Sequence, residues 1–535
     1  MSTRDYMKGE ILVLLVFLFS FAVYGQDGKV QKRSGGVVVY PVIGSSKAIS
    51  VEVISPFILH VVSSPIKEIQ IDTTLMVIKQ PVFEKWSYST NNGVCTITTT
   101  ELKVNISLQS GEITFNNTNG KTLLATHNNV RQFQPVTIDA GKSYQVQQGF
   151  TSKEDEAFYG LGQHQQGLIN LKGEEIQLLQ NNTEIAIPFL VSSRNYGLLW
   201  DNYSITTFND GRTYQPLSKL KLYDSEGQPN ALTATYSLKK NPNTIITQRK
   251  EVEVTYDYLP DLVKFPAGFS LNDGVVRWAG SMESAETGVH KFNVRYGGYV
   301  KLWLDKKLVL DRWRQCWNPV SAIIPFNMVA GEKYSYEMEW IPDGGESFIS
   351  CNWMQPPSGI NKKQFILQSE AATNISFYFV YGKNADAVIS GYRQLTGKAP
   401  IFPKWAYGFW QSRERYKTQE EVMSTIKEFR KRHIPIDNIV MDWQYWKPDE
   451  WGSQDFDPSR FANPEGMIDS LHNLYNAHFM VSVWPKFYTS TKNYQQFKSN
   501  GYLLTRNIEE NRKDWLGYTS TFYDAFNPAA NNAFW

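Results

Sequence analysis

The spacing of apolar residues changes near residue 385, and this change constrains the fold more than any other feature of the chain. Before it, short β-branched runs alternate with turn residues. Val37-Val38-Val39-Tyr40, Ile49 to Ile54 and Thr96 to Thr100 are examples, and Asn91-Asn92-Gly93 and Asn117-Thr118-Asn119-Gly120 are hairpin-type turn signals. Many short strands without a long helical period predict a β-sandwich. After residue 385, Ala385, Val388, Ile389 and Tyr392 fall at helical spacing, and strands then alternate with helices. Trp405 to Trp410 is a candidate first strand. Thr418 to Glu421 is a capping box opening a helix with Val422, Ile426 and Phe429 on one face. Ile436 to Met441 reads as a buried strand, Pro464 to Tyr475 as a second helix and Phe479 to Val483 as a third strand. Such alternation implies parallel strands with helical crossovers. An open doubly wound sheet is the alternative, but no glycine-rich phosphate loop follows any strand. The favoured reading is the first part of a (β/α)8 TIM barrel.

A second β unit interrupts the first. Val289 to Arg295 and Tyr299 to Leu304 alternate around Gly297-Gly298, and Asp305-Lys306-Lys307 turns into Leu308-Val309-Leu310. With Asp273-Gly274 before Trp278, Glu286-Thr287-Gly288, and Asp311 with Trp313, this stretch resembles the PA14 domain, a β-sandwich. Glycan binding by this unit and a role as spacer or wall both remain open. Strand signals return at Phe365 to Leu367 and Ile375 to Val380, so the unit is expected to be an insert in the first sandwich. The resulting division is a leader at 1–25, a β-sandwich at 26–240, the PA14-like insert at 241–359, the returning sandwich at 360–386 and the partial barrel at 387–535.

Composition narrows the function classes. A chain of 535 residues holds about three domains. Its formal net charge of +2 lacks the basic footprint of a nucleic-acid binder. Aromatic residues reach 14%, which suits a β-rich core and, at strand ends, carbohydrate stacking. Lys8, the apolar run from Ile11 to Ala22 and Val23-Tyr24-Gly25 read as a signal peptide cleaved before Gln26, with a signal anchor as the alternative. The expected location is therefore periplasmic or extracellular. The run is short for a membrane span, and no later segment is long and apolar enough for a transmembrane helix. Three cysteines exclude a disulfide framework; Cys316 and Cys351 could pair, or all three could be buried free thiols. The seven histidines show no metal-ligand spacing, so neither a protein-bound transition metal nor a cofactor is expected.

In a TIM barrel the functional residues sit at the C-terminal ends of the strands. The first predicted strand ends in Trp410, followed by Arg413 and Arg415. The second ends in Asp442, followed by Trp443, Tyr445, Trp446 and later Trp451. The third ends in Trp484, followed by Lys486. A carboxylate can accept two sugar hydroxyls in charge-assisted hydrogen bonds, and neighbouring aromatics form a wall for the ring. Each residue also has a purely structural reading. Asp442 can cap its loop, Trp484 and Trp446 can be packing, and Arg413 and Lys486 can be surface charges.

The segments KWAYGFWQSRERY, IPIDNIVMDWQYW, FDPSRFANPEGM and HFMVSVWPKFY resemble the start of the catalytic barrel of glycoside hydrolase family 31. Ala157 to Gly162 and Ile187 to Leu190 resemble that family's N-terminal, galactose mutarotase-like sandwich. The pairing with a PA14-like insert resembles the bacterial α-xylosidases that act on xyloglucan oligosaccharides. The resemblance implies a retaining α-glycosidase with an oligosaccharide substrate, in which Asp442 holds sugar hydroxyls and Trp484 and Trp451 flank the sugar. Trp410, Trp443, Arg415 and Lys486 would shape the subsite, and Gln163 would reach toward it from the sandwich. It also implies two catalytic aspartates on later strands, one within a Trp-x-Asp-x-x-Glu-like motif. That motif is absent after Trp484, so both are expected beyond Trp535, making this chain a catalytically inactive, aggregation-prone fragment. Residues 387–535 fall short of the about 250 that a closed barrel takes. A non-catalytic glycan-binding protein, and an α-glucosidase or transglycosylase of the same family, are the alternatives.

Overall fold

The structure is a computed structural model that describes residues 28–535 apart from 71–73, 139–140, 317–318 and 345–346. The leader expected at 1–25 lies outside the described residues. The chain forms two compact units, one ending at Gly397 and the other taking in Lys398 to Trp535. Among the described residues, no helix is long and apolar enough to cross a membrane.

The first unit contains the expected sandwich. Strands such as Ala48–Ser55 and Ile58–Ser64 join an eight-stranded sheet that faces a nine-stranded one. Alternating Val37, Val51 and Leu59 meet Ile97, Phe115 and Phe150 in one core. Phe115 stacks on Phe379 across it at 4.2 Å. The Asn92-Gly93 turn joins strands Ser87–Asn91 and Val94–Thr98, with both residues at positive φ (50° and 72°). This is the backbone a tight hairpin requires, and Asn-Gly is the pair that tolerates it best.

Strand pairing nests the second sandwich within the first, but it begins earlier than the expected residue 241: Gln215–Pro216 pairs with Ile349–Met354, and Leu232–Leu238 with Asn241–Glu251 and Gly274–Glu283. Gln364–Ala372 lies between Gly141–Thr151 and Thr206–Asn209 in the nine-stranded sheet. Ile375–Tyr381 lies between Ile58–Ser64 and Tyr196–Trp200 in the eight-stranded one. The intervening chain forms a second sandwich of seven- and five-stranded sheets around Trp278, Phe292, Tyr336 and Trp340. Its buried Glu251 is satisfied by the Trp278 indole at 2.7 Å, the Tyr236 hydroxyl at 2.5 Å and Arg249 Nε at 2.5 Å. The cysteine alternatives resolve in favour of thiols: Cys95, Cys316 and Cys351 are all free and buried. The helix Ala385–Thr396, capped by Asn384, packs Val388 and Leu395 against Leu199, Tyr378 and Val380, so the first unit runs on through it.

In the second unit, β1 (Trp410–Gln411), β2 (Asn438–Met441) and β3 (His478–Val481) form a parallel sheet in the order β1-β2-β3. The crossover helix α1 (Gln419–Lys431) starts at the predicted cap, where Thr418 Oγ1 accepts the Glu421 N–H at 3.2 Å. It buries Val422 and Ile426. Helix α2 (Pro464–Asp469) passes into a π turn over Ser470–Leu474, where a continuous helix to Tyr475 was expected. Ser470 Oγ donates to the Gly466 carbonyl at 2.7 Å, a back-bond that bends helices.

The first barrel strand is shorter than its apolar run. Residues Lys404–Tyr407 form a 3-10 turn, and pairing begins only at Trp410. Trp405 explains this: its ring stacks on His478 at 3.7 Å and its carbonyl accepts Asn438 Nδ2 at 3.0 Å. The sheet is followed by an antiparallel pair, β4 (Lys486–Tyr488) and β5 (Ser520–Phe522). Between them lie α3 (Lys492–Ser499) and α4 (Arg506–Glu509). The last helix, α5 (Pro528–Phe534), has Asn527 as its N-cap and Pro528 as its first residue, as expected.

Candidate active site

Asp442 leaves the C-terminal end of β2, directly after the buried Met441. Its Oδ1 accepts the Trp443 N–H at 2.6 Å, which turns the chain sharply off the sheet. Gln444, at φ 62°, continues that turn, and its side-chain oxygen accepts a hydrogen bond from Arg415 Nη1. The Arg415 guanidinium also lies 4.6 Å from the Trp443 ring centroid. The Ser482 N–H donates to the Met441 carbonyl at 2.8 Å, so β3 runs beside β2 up to the same end.

The loop after Asp442 is held by a clamp. Arg460 Nη2 donates to the Gln444 carbonyl at 2.9 Å and the Trp446 carbonyl at 2.5 Å, and Nη1 to that of Lys417 at 3.1 Å. Its Nε reaches Asp457 Oδ2 at 2.9 Å. The hydrogen bonds from Arg460 and then Ser459 hold the Asp457 carboxyl down at about 2. Both residues belong to the FDPSRF segment, whose role was not assigned from sequence.

Trp451 is the centre of an aromatic nest. It is buried, stacks on Trp443 at 5.4 Å, lies 5.3 Å from Trp446 and meets the edge of Trp484 at 5.1 Å. Lys486 Nζ sits 3.9 Å from the Trp451 centroid and 2.6 Å from Asp514 Oδ2. Burial pushes the Lys486 ammonium below its usual pKa, opposed by the hydrogen bond to Asp514. Tyr488 OH donates to the same carboxylate oxygen at 2.9 Å. Trp515 meets Trp443 in an edge-to-face contact at 5.3 Å. Asp514 and Trp515 were not identified from sequence. The tandem of an acidic and an aromatic residue was their one local signal.

The structure therefore gathers Asp442, Trp443, Arg415, Trp451, Trp484 and Lys486 around one end of the sheet. They do not share one exposure. Asp442, Trp443 and Arg415 are half-buried and Trp484 is exposed, while Trp451 and Lys486 are enclosed by protein. Lys486 has its charge satisfied within the chain, so its direct effect is on Trp451 and Asp514.

Trp410 does not join them. It opens β1 level with Asn438 and His478, the first residues of β2 and β3. Asp442 is four residues further along β2, about 13 Å at ~3.3 Å per residue. The Trp410 indole N–H instead bonds to the Ala406 carbonyl at 3.0 Å. The expectation that Trp410 ends its strand is corrected: the 3-10 turn delays the strand. Gln163, in the first unit, is exposed at the end of the strand Phe158–Gln163, paired with Ile185. Its neighbour Gly162 is held at φ 106°, where a Cβ would meet the Ile185 carbonyl oxygen at 1.9 Å. No group of three or more His, Cys, Asp or Glu poised for a metal exists among the described residues.

Chemically, the gathered groups suit a neutral polyhydroxylated ligand. A carboxylate flanked by an arginine accepts and positions hydroxyls, and half-exposed indoles offer flat apolar faces to C–H groups.

Comparison with known proteins agrees with this anatomy. Residues 399–535 match the glycosyl hydrolases family 31 TIM-barrel domain. Residues 48–209 match the glycosyl hydrolase 31 N-terminal galactose mutarotase-like domain, and residues 234–366 match the PA14 domain. An α-xylosidase of Saccharolobus solfataricus is 26% identical over 494 residues, covering 89% of this chain and 46% of that protein. The α-xylosidase XylQ of Lactiplantibacillus pentosus is 30% identical over 337 residues, covering 58% of this chain and 43% of its own. The crystal structure of a family 31 α-xylosidase from Xanthomonas citri superposes with a TM-score of 0.87 at 40% identity, covering 95% of this chain and 55% of that one. The chain thus spans about half the length of these relatives. With a family 31 mutarotase-like sandwich, a PA14 insert and the beginning of a family 31 barrel in one continuous order, the chain belongs to glycoside hydrolase family 31.

Proposed function

We propose that the protein acts as an exported retaining α-glycosidase that removes terminal α-linked xylose from oligosaccharides, xyloglucan fragments foremost. The supporting observation is the conjunction of Asp442 with the Trp443, Trp451 and Trp484 nest in a chain 40% identical to a solved α-xylosidase. Asp442 is assigned to hydroxyl binding in the subsite that holds the terminal sugar. Its Oδ1 already accepts the Trp443 N–H, which fixes the orientation of the carboxylate. Retention requires two further carboxyl groups about 5–5.5 Å apart, one to attack the anomeric carbon and one to protonate the leaving oxygen. Trp484 offers an exposed ring face to the sugar, while Lys486 and Arg460 hold the nest and loop in place. Export is supported by the apolar run Ile11 to Ala22; a mature N-terminus at Gln26 in secreted material is the corresponding observation.

The test, made on a protein that carries both catalytic carboxylates, compares p-nitrophenyl α-xyloside with p-nitrophenyl α-glucoside. The α-xyloside should be preferred in kcat/KM by at least tenfold. Preference for the glucoside overturns the xyloside assignment, and sugar binding without turnover of either overturns the glycosidase reading in favour of a glycan-binding protein.

A further inference from the structure

One end of the inserted sandwich closes around a histidine that has no place for a second proton. In the strand Gly288–Tyr296, His290 points inward with Phe292 and Val294 and is 0% exposed. Its Nδ1 accepts the Trp353 indole N–H at 2.9 Å, and its Nε2 lies 3.0 Å from the Glu286 carbonyl oxygen. An indole nitrogen can only donate and a carbonyl oxygen can only accept, so the two partners fix the neutral tautomer with its proton on Nε2. A proton on Nδ1 would meet the Trp353 N–H head-on. His60 in the first sandwich differs: it meets the Ser376 hydroxyl at 2.9 Å and lies 3.8 Å from Glu52, partners compatible with a protonated ring.

Trp353 stands where the insert joins the first sandwich. Its strand, Ile349–Met354, pairs with Gly288–Tyr296 on one side and with the entering segment Gln215–Pro216 on the other, where Gln215 lies opposite Trp353. Just after that strand the Gln355 carbonyl accepts Arg212 Nη1 at 2.6 Å. Arg212 Nη2 also donates to the Gly173 carbonyl at 3.0 Å and pairs with Asp210 at 2.7 Å. Lys291, next to His290 and on the opposite face of its strand, donates to the same Gly173 carbonyl at 2.9 Å and pairs with Glu174 at 2.6 Å. His290 therefore closes the strand ends that these two cations tie to the sandwich.

We propose that this is an acid-sensitive joint: protonation of His290 breaks its contact with Trp353, parts Gly288–Tyr296 from Ile349–Met354 at that end, and loosens the insert from the first sandwich. Burial pushes the imidazole below its ordinary value of 6.5, opposed by the carbonyl and then the carboxylate of Glu286. The opened ring binds a proton that the closed one refuses. The closed form is thus complete above about pH 6.5 and is lost progressively as pH falls below it. Phe326, opposite His290 on the neighbouring strand, carries no charge. On the sandwich side, Lys291 is paired with Glu174 and Arg212 with Asp210, and the Tyr214 phenol beside them is pushed up by burial and stays neutral. Glu175 is pushed up to about 7 by burial, opposed by the Tyr214 N–H. It holds its proton in the closed form, so falling pH favours closure through Glu175 and opening through His290.

The experiment is hydrogen–deuterium exchange followed by mass spectrometry on the 535-residue protein, each rate being divided by the intrinsic rate at that pH. Peptides covering Gly288–Tyr296, Ile349–Met354 and Gln215–Pro216 should exchange about tenfold faster at pH 5.0 than at pH 7.5. Peptides covering the sandwich strand Ile58–Ser64 should not change. His290→Gln keeps a donor for the Glu286 carbonyl but does not titrate, and should abolish the acid acceleration. Trp353→Phe leaves Nδ1 free to take a proton inside the closed insert, so exchange should rise at pH 7.5 and the acid acceleration should shrink. Glu175→Gln, which removes the opposing titration, should retain the acceleration. The proposal is overturned by an unaltered protein whose exchange is independent of pH, or by equal acceleration in insert and sandwich. Acceleration that persists in both His290→Gln and Trp353→Phe, or that vanishes in Glu175→Gln, overturns it equally.

Discussion

The ammonium of Lys486 lies between the carboxylate of Asp514, at 2.6 Å, and the face of Trp451, at 3.9 Å, with almost no exposure to solvent. One buried charge therefore links the start of β4 to the loop before β5 and to the aromatic nest beside Asp442. Removing one partner leaves the other charged and unsolvated. Lys486→Met should cost ~3–5 kcal/mol of stability. Replacing both partners, as in Lys486→Met with Asp514→Leu, should recover much of it. Urea unfolding followed by tryptophan fluorescence distinguishes the two, and equal losses in single and double variants would contradict a coupled pair.

Asp442→Asn keeps the size of the side chain but removes its charge. Hydrogen bonds to a charged acceptor contribute ~1.5–3 kcal/mol, so affinity for an α-xyloside should fall by one to two orders of magnitude. Quenching of tryptophan fluorescence during titration measures this. An unchanged dissociation constant would remove Asp442 from the site.

Trp484 and Trp410 should behave differently despite similar exposure. Trp484→Ala should weaken the same titration about tenfold, or ~1.4 kcal/mol. Trp410→Leu should leave it unchanged, because Trp410 lies at the opposite end of the parallel strands. A loss of affinity in Trp410→Leu would contradict the observed register.

The Asp457–Arg460 clamp should show itself at acid pH. The folded pKa of Asp457, about 2, lies below its ordinary value of 3.8. Its contribution to stability is therefore complete above about pH 4 and is lost as pH falls through about 2. The stability difference between the unaltered protein and Asp457→Asn should shrink over that interval. A difference that stays constant down to pH 2 would show that the carboxylate charge is not what holds the loop.

All three cysteines are buried and free, and burial pushes the Cys95 thiol up to about 11 and the Cys351 thiol up to about 12. Since the thiolate is the reactive form, a disulfide-exchange reagent at pH 8 should find no reactive thiol in the folded protein. It should find three after denaturation. Fewer than three would reveal a disulfide.

Much of the architecture is local and was legible in the residues. Alternation of Val, Ile and Thr with polar residues marks strands buried on one face, the Asn92-Gly93 pair marks its hairpin, and Thr418 and Asn527 mark helix starts through their own side-chain oxygens. The return of strand signals after the insert made its nesting readable, because Gln364–Ala372 and Ile375–Tyr381 need partners within the first sandwich. The positions of Asp442 and Trp484 after short apolar strands were likewise legible.

Three features depended on contacts distant in sequence. Pairing along β1 starts only at Trp410 because Trp405 is held by His478 and Asn438. Lys486 is enclosed because Asp514 arrives from a later loop. The loop after Asp442 is shaped by Arg460, whose guanidinium gathers carbonyls from Gln444, Trp446 and Lys417. By itself the sequence determined the type and order of the elements and the nesting of the insert, since periodicity and capping act over a few residues. The tertiary structure alone decided which of the strand-end side chains face solvent and which are enclosed, since burial and charge pairing depend on what distant segments bring into contact.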